Sequence, residues 1–216
     1  FIFKSKSPSS GMQGVKVYQE GGMPVKKGTG IFAGAFLKRF PLIPAEDEGR
    51  LNDPALRENF IERVFVFSRW QEFIEKGGIA SDLVRLHTDH KLLFMSHSPK
   101  HASILGRYAA RANGGNTGRI NDLYAKVMME GLRHIATKKK NTNVLQHIMG
   151  YFKKQLSADE KKELLDVIEN YHKGLIPLIV PVTLLNHYVR KYDEKYLIKQ
   201  HYLNPHPLEL MLRNHV

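Results

Sequence analysis

The sequence predicts an α+β protein that is mostly α, with an N-terminal α/β piece over residues 1–76 and an all-α helical bundle over residues 79–216. Three observations lead there. Residues 1–52 are rich in Gly, Pro and Ser, with short apolar runs between turn signals. From Asp53 onward apolar residues recur at helical spacing, punctuated by helix caps. The charge is also divided: residues 1–75 carry 11 Lys/Arg against 9 Asp/Glu, whereas residues 76–216 carry 22 against 12 and all 11 histidines.

Phe1-Ile2-Phe3 reads as a short strand running straight into a polar loop, so the chain is expected to open inside a domain. Val15 to Tyr18 reads as a second strand, Glu20-Gly21-Gly22 as a turn, and Ile31 to Leu37 as a short apolar element. Asp53-Pro54 is an N-cap followed by proline at the first helical position. Leu56, Phe60, Ile61, Val64, Phe67 and Ile74 then follow helical spacing until Gly77-Gly78, where the domain boundary is expected. In the next helix Leu83, Leu86, His90, Leu93 and Phe94 form one stripe. Ser98-Pro99 starts a second helix and Asn113-Gly114-Gly115-Asn116 stops it. A third is predicted from about Arg119 to Ala136.

Lys138 to Asn143 is a basic loop or a helix start. Ser157-Ala158-Asp159-Glu160 is a capping box, in which serine and glutamate each satisfy a free backbone donor at the helix start; the helix it opens should end near Gly174. Ile176 to Pro181 is β-rich by propensity, but its two prolines argue against a central strand and suit the approach to a buried helix over Val182 to Tyr192. A short helix and a proline-broken tail follow from Tyr196, giving a bundle of five to seven helices.

Composition narrows the function classes. Zero cysteines exclude disulfides, a cysteine-based zinc site and a thiolate-held iron–sulfur cluster in this chain. The longest apolar stretch, Leu175 to Leu185, is short for a membrane span and contains Pro177 and Pro181; with no secretory signal visible, a soluble, cytoplasmic protein is expected. The net charge of +12, concentrated in the helical part, points to a polyanionic partner such as nucleic acid or an acidic membrane surface, with a solvated charged face as the alternative.

Lys4-Ser5-Lys6-Ser7-Pro8-Ser9-Ser10-Gly11 is a small-residue loop directly after a strand, where α/β proteins place ligand-contacting groups; a plain solvent turn is the simpler reading of this segment alone. Taken with Val15 to Tyr18, Gly30-Ile31-Phe32-Ala33, Phe40-Pro41 with Pro44, and Glu48-Gly49-Arg50-Leu51-Asn52-Asp53-Pro54, it resembles the C-terminal half of the thiouracil desulfidase family over about residues 1–75. The resemblance implies that a cysteine following Ser-Pro-Ser is one of three holding a 4Fe-4S cluster, whose open iron takes sulfur from a thiolated pyrimidine. Here that position is Ser10, so no cluster is expected in this chain. Ser7 and Ser9 match loop serines that would orient or protonate substrate, with turn formation as their alternative role. Glu48, Arg50 and Asp53 suit an ion-paired turn, although helix capping is the favoured role of Asp53.

The second part resembles the YbgA-type domain. The resemblance rests on His90-Lys91-Leu92-Leu93 with His97-Ser98-Pro99, Asn143 to His147 with Gly150 to Lys154, Pro177 to Pro181 with His187-Tyr188, and Pro205-His206-Pro207 with Leu212-Arg213-Asn214. That domain follows the desulfidase domain in RudS-like proteins, which remove sulfur from 4-thiouridine in tRNA, and the resemblance makes it the part expected to grip tRNA. Lys138, Lys139, Lys140, Lys153 and Lys154 across one short helix, and Arg190 and Lys191 at the end of another, suit phosphates. Tyr151, His187 or Tyr188 offer a ring to an unpaired base, with core packing as the alternative for the tyrosines.

Two other classes compete. His87, His90, His97 and His101 would share a face if one helix ran through them, as a metal enzyme requires; Ser98-Pro99 interrupts that helix, and the His-Glu-x-x-His spacing is absent. A protein-interaction module whose charge serves solubility is the third reading.

Overall fold

The computed structural model describes residues 1–18, 22–112 and 117–215. The expected turn at Glu20-Gly21 and the helix stop at residues 113–116 lie outside them. Four short strands and nine α-helices are present among the described residues, in accord with a mostly α, α+β protein. Two compact units divide at Phe67/Ser68, within a helix, whereas composition changes at its Gly77-Gly78 end.

In the first unit β1 (Ile2–Phe3) pairs in parallel with β4 (Glu46–Asp47). Between them lie an antiparallel hairpin, β2 (Val15–Val17) and β3 (Val25–Gly28), and helix α1 (Ile31–Arg39). The apolar run at Ile31 to Leu37 is thus a helix: Phe3, Ala33 and Ala45 form a small core with Met12, Phe36 and Leu37 against it. The rings of Phe1 and Phe36, 4.5 Å apart, and of Phe3 and Phe36, 5.6 Å apart, close that core. Helix α2 (Pro54–Glu75) opens on Asp53, whose Oδ1 accepts from the backbone N–H of Ala55 at 2.9 Å and Leu56 at 3.0 Å. This is the N-cap that the Asp-Pro pair predicts.

The second unit takes in the end of α2 and seven further helices: α3 (Ala80–His97), α4 (Pro99–Arg111), α5 (Thr117–Leu132), α6 (Lys138–Met149), α7 (Ala158–Lys173), α8 (Ile179–Lys191) and α9 (Lys195–Ile198). Leu83, Leu93, Leu105, Met128, Leu145, Ile148, Leu164 and Leu185 are fully or almost fully buried and form its interior. At one residue, Ser98, α3 ends and α4 begins; its extended backbone turns the chain while its hydroxyl accepts from the N–H of His101. The Ser157–Glu160 capping box is complete, and α7 ends at Gly174, whose φ of 77° is a left-handed conformation that suits glycine.

Helix α8 starts at Ile179, ahead of the expected Val182. Pro181 falls in its first turn, where a missing N–H costs nothing because that donor has no intrahelical acceptor. Helix α5 ends at Leu132 rather than Ala136, and Lys138 to Asn143 begins α6 rather than a loop. The proline-broken tail is docked: Tyr202 Oη donates to Asn141 Oδ1 at 3.1 Å, Asn141 Nδ2 donates to the Tyr171 hydroxyl at 3.1 Å, and Arg213 donates to the Tyr202 carbonyl at 2.6 Å. Fully paired buried polar groups of this kind select one packing arrangement. Among the described residues no helix is long and apolar enough to cross a membrane.

Candidate nucleic-acid interface

In the first unit the Ser5–Gly11 loop leaves the C-terminal end of β1 and folds over the start of α1. The Ser9 carbonyl accepts from the N–H of Phe32 at 2.9 Å and Ala33 at 3.3 Å, and Gly30 donates to the Gly11 carbonyl at 2.8 Å. A Cβ at Gly30 would collide with the Ser9 carbonyl, so this close approach requires glycine. Ser7 forms the turn, its Oγ accepting from Ser10 N–H at 3.2 Å, while Ser9 is exposed and Ser10 half-buried. Glu48 pairs with Lys4 and Arg50 with Glu46, both at 2.8 Å, so Glu48, Arg50 and Asp53 each have a separate partner rather than forming one ion-paired turn.

The donor set decides the cluster question. Ser10 supplies a hard, scarcely ionised hydroxyl where cluster iron wants a soft thiolate, and the sequence contains no cysteine at all. These residues do not fit a 4Fe-4S cluster.

In the second unit the predicted basic residues separate by role. Lys139, Lys153 and Lys154 are exposed, and their side chains have no hydrogen bond or ion pair among the described residues. Lys138 is exposed with its ammonium against Gly174, at the carbonyl-rich end of α7. Lys140 is a correction: its Nζ donates to the carbonyls of His97 at 2.6 Å and Ile135 at 3.1 Å, tying the end of α3 to the start of α6. The lysines at 138–140 and 153–154 also do not make one cluster. They flank α6, whose 12 residues place its ends about 18 Å apart.

On α8, Arg190 and His187 are exposed, but Lys191 pairs with Glu160 at 2.8 Å. Tyr188 is 3% exposed, packed with Phe152 and Tyr192 at ring separations of 6.3 Å, and so offers no face to a base.

Tyr151 is placed differently. It is exposed and stacks on Tyr196 of α9 at 5.4 Å and 18°. The pair borders a groove of about 680 Å³ between α3 and α4. From α3 it is lined by His87, Thr88, Lys91 and Met95, and from α4 by Ala102, Ser103, Gly106, Ala109 and Ala110, stripes set by three- and four-residue helical spacing. Small residues on α4 leave the groove open. Burial raises the Tyr196 hydroxyl to about 12, with Tyr151 adding to the effect, so Tyr196 is uncharged near neutral pH.

At the groove floor His87 Nδ1 lies 3.0 Å from the hydroxyl of Tyr124, a residue with no solvent exposure. Burial, reinforced by Lys91, lowers His87 to about 4 and keeps it neutral at pH 7.

The four histidines of the metal reading are dispersed among separate partners. His87 meets Tyr124, His90 the Leu86 carbonyl at 2.8 Å, His97 the His134 carbonyl at 2.7 Å, and His101 the Ser98 hydroxyl at 2.7 Å. Among the described residues no group of three or more His, Cys, Asp or Glu is arranged to hold a metal ion. A second cavity, of about 360 Å³, has His90 and His201 in its lining, their rings 4.1 Å apart; its outer charges are paired as Lys76–Glu72 and Arg85–Asp82.

The sequence alone assigns no site role to Lys91, Gly106 or Tyr196 and offers His87 only as a metal ligand. The spacing of Ala102, Gly106 and Ala109–Ala110 is readable as a small-residue stripe, but nothing local connects it with Tyr151 and Tyr196.

The fold and the groove define a basic, mostly helical α+β protein with an aromatic-walled cleft in its helical unit. Residues 91–207, more than half of the chain, match the family described as "Protein of unknown function (DUF1722)", and the protein belongs to that family. It is similar to "Uncharacterized protein YbgA" of Escherichia coli (strain K12), at 29% identity over 153 residues that cover 70% of this chain and 90% of the relative. The helical part is therefore a YbgA-like domain. No solved structure matches.

Proposed function

We propose that the helical unit is an RNA-binding module with tRNA as its partner, and that the chain serves sulfur removal from thiolated uridine in tRNA. The observation that carries the RNA reading is the position of Lys153 and Lys154: both are exposed and unpaired among the described residues, and they follow closely on Tyr151, which stacks with Tyr196 at the edge of an open groove. Cations that track a backbone beside aromatic rings that accept bases are the ordinary means of holding unpaired RNA. Lys139, at the far end of α6, supplies a second phosphate-binding point about 18 Å away, a spacing that an extended or folded RNA can span.

The desulfidase part of the proposal rests on the resemblance of residues 1–75 and on the loop that follows β1. Because this chain offers no thiolate, the part its own residues play in this proposal is to bind and orient RNA.

The test is tRNA binding by the purified chain across a salt series, comparing wild type with Lys139→Ala/Lys153→Ala/Lys154→Ala. Binding by the wild type should weaken steeply with salt. The triple variant should reduce the salt slope by about 2, since each phosphate that a lysine no longer neutralises takes roughly 0.7–0.9 from it. Tighter binding of tRNA carrying 4-thiouridine than of unmodified tRNA is expected from the sulfur-removal reading. Absence of tRNA binding at low salt overturns the RNA reading and leaves the protein-interaction module in its place.

A further inference from the structure

Tyr124 lies wholly inside the second unit, and its hydroxyl has one partner among the described residues, His87 Nδ1. A buried hydroxyl hydrogen without an acceptor is costly, so Tyr124 donates and Nδ1 accepts with its lone pair. A neutral imidazole that accepts at Nδ1 carries its proton on Nε2. That nitrogen lies over Gly106: a Cβ built there would stand 3.4 Å from it, and both residues line the groove. The groove floor thus presents one neutral, pre-oriented N–H donor. The same groove is lined by Tyr151 and Tyr196 on the aromatic side, by the exposed residues Ser103 and Lys91, and by the small residues of α4.

We infer that this groove holds a single unstacked nucleobase whose ring carbonyl accepts from His87 Nε2–H while its face lies against the Tyr151–Tyr196 pair. The inference rests on the RNA reading above and deepens it by naming the subsite and the base chemistry. Lys91, an exposed cation in the groove lining, would meet the phosphate attached to that nucleotide. A base with an exocyclic carbonyl, such as uracil, satisfies the donor with its single ring against the aromatic wall; adenine has no carbonyl and reaches the donor only through a ring nitrogen, with its larger bicyclic ring placed differently. Gly106 is part of the subsite because any larger side chain on that turn of α4 would occupy the space beside the donor.

The experiment uses the full chain and short single-stranded oligouridylate and oligoadenylate, with an RNA duplex as control, for wild type and Gly106→Leu. The leucine fills the groove beside the His87 ring, and a matching thermal transition shows that the variant is folded. The wild type should prefer oligouridylate, and Gly106→Leu should weaken that binding by about tenfold or more, the scale of losing one stacked base, with duplex affinity unchanged. Oligouridylate should also shift the His87 Nε2 nitrogen resonance. Equal affinity for the two oligonucleotides together with an unaffected Gly106→Leu variant overturns the subsite and leaves the RNA reading standing. Failure of the wild type to bind any RNA overturns both.

Discussion

Acid should destabilise this protein well before its carboxylates titrate, because its interior holds neutral histidines. His87 and His201 are each lowered from 6.5 to about 4, chiefly by burial, and His90 is pushed down as well, by burial and then by His201. In the unfolded chain all three regain an ordinary imidazole pKa, so between about 6.5 and 4 the unfolded state binds more protons. Folding stability is then fully present above that window and lost as pH falls through it.

For His87 the two pKa values correspond to about 2 kcal/mol lost by pH 5. His201 has the same values but is only half-buried, and solvent screening reduces its share to about 1 kcal/mol. Together they remove about 3 kcal/mol, a large part of a typical total of roughly 5–15 kcal/mol. Asp89, raised by burial, works in the opposite direction, whereas Glu48 and Glu160 have depressed pKa values and release their contribution only below about pH 4.5. Urea unfolding at fixed ionic strength between about pH 7.5 and pH 5 measures the effect as a falling midpoint. His87→Gln, which keeps an acceptor for Tyr124 and cannot titrate, should flatten the fall by its share. A midpoint that stays constant or rises as the pH drops would refute the reasoning.

Two neighbouring lysines should separate stability from binding. Lys140→Ala removes two hydrogen bonds to backbone carbonyls and should lower unfolding free energy by about 1–2 kcal/mol, whereas Lys139→Ala should leave stability unchanged and weaken tRNA binding at low salt. Paired urea and tRNA titrations check both. Ser157→Ala breaks the capping box at the start of α7 and should cost about 1 kcal/mol, seen as a lower urea midpoint with an unaltered slope.

Local signals are legible wherever a residue acts on its own neighbours in the chain. Asp53-Pro54, Ser98-Pro99 and the Ser157–Glu160 box mark helix starts in sequence and in structure, since a cap is satisfied within one turn. Boundaries set by tertiary packing are less legible. Pro181 suggests a later start for α8 because proline in a first turn looks like proline before a helix until the preceding carbonyl partners are known. Ile31 to Leu37 is too short to classify from its pattern, and its helix is identified by Ala33 and Phe36 packing against Phe3.

The predicted binding residues divide on the same ground. Exposure of Lys139, Lys153 and Lys154 follows from charge alone, because solvating an ammonium needs no particular neighbour. The pairing of Lys191 with Glu160, the hold of Lys140 on His97 and Ile135, and the burial of Tyr188 depend on segments distant in the chain.

By itself, then, the sequence determined the helical class, the caps, the basic second part, the lack of thiolate ligands and the YbgA-type resemblance. Each of these is a property of composition or of residues within a few positions of one another. Only the tertiary structure decided which cations stay free, that Tyr151 meets Tyr196, and that Tyr124 orients His87 over Gly106. Such relations join side chains tens of residues apart, and they exist only once burial removes water as the competing partner for each polar group.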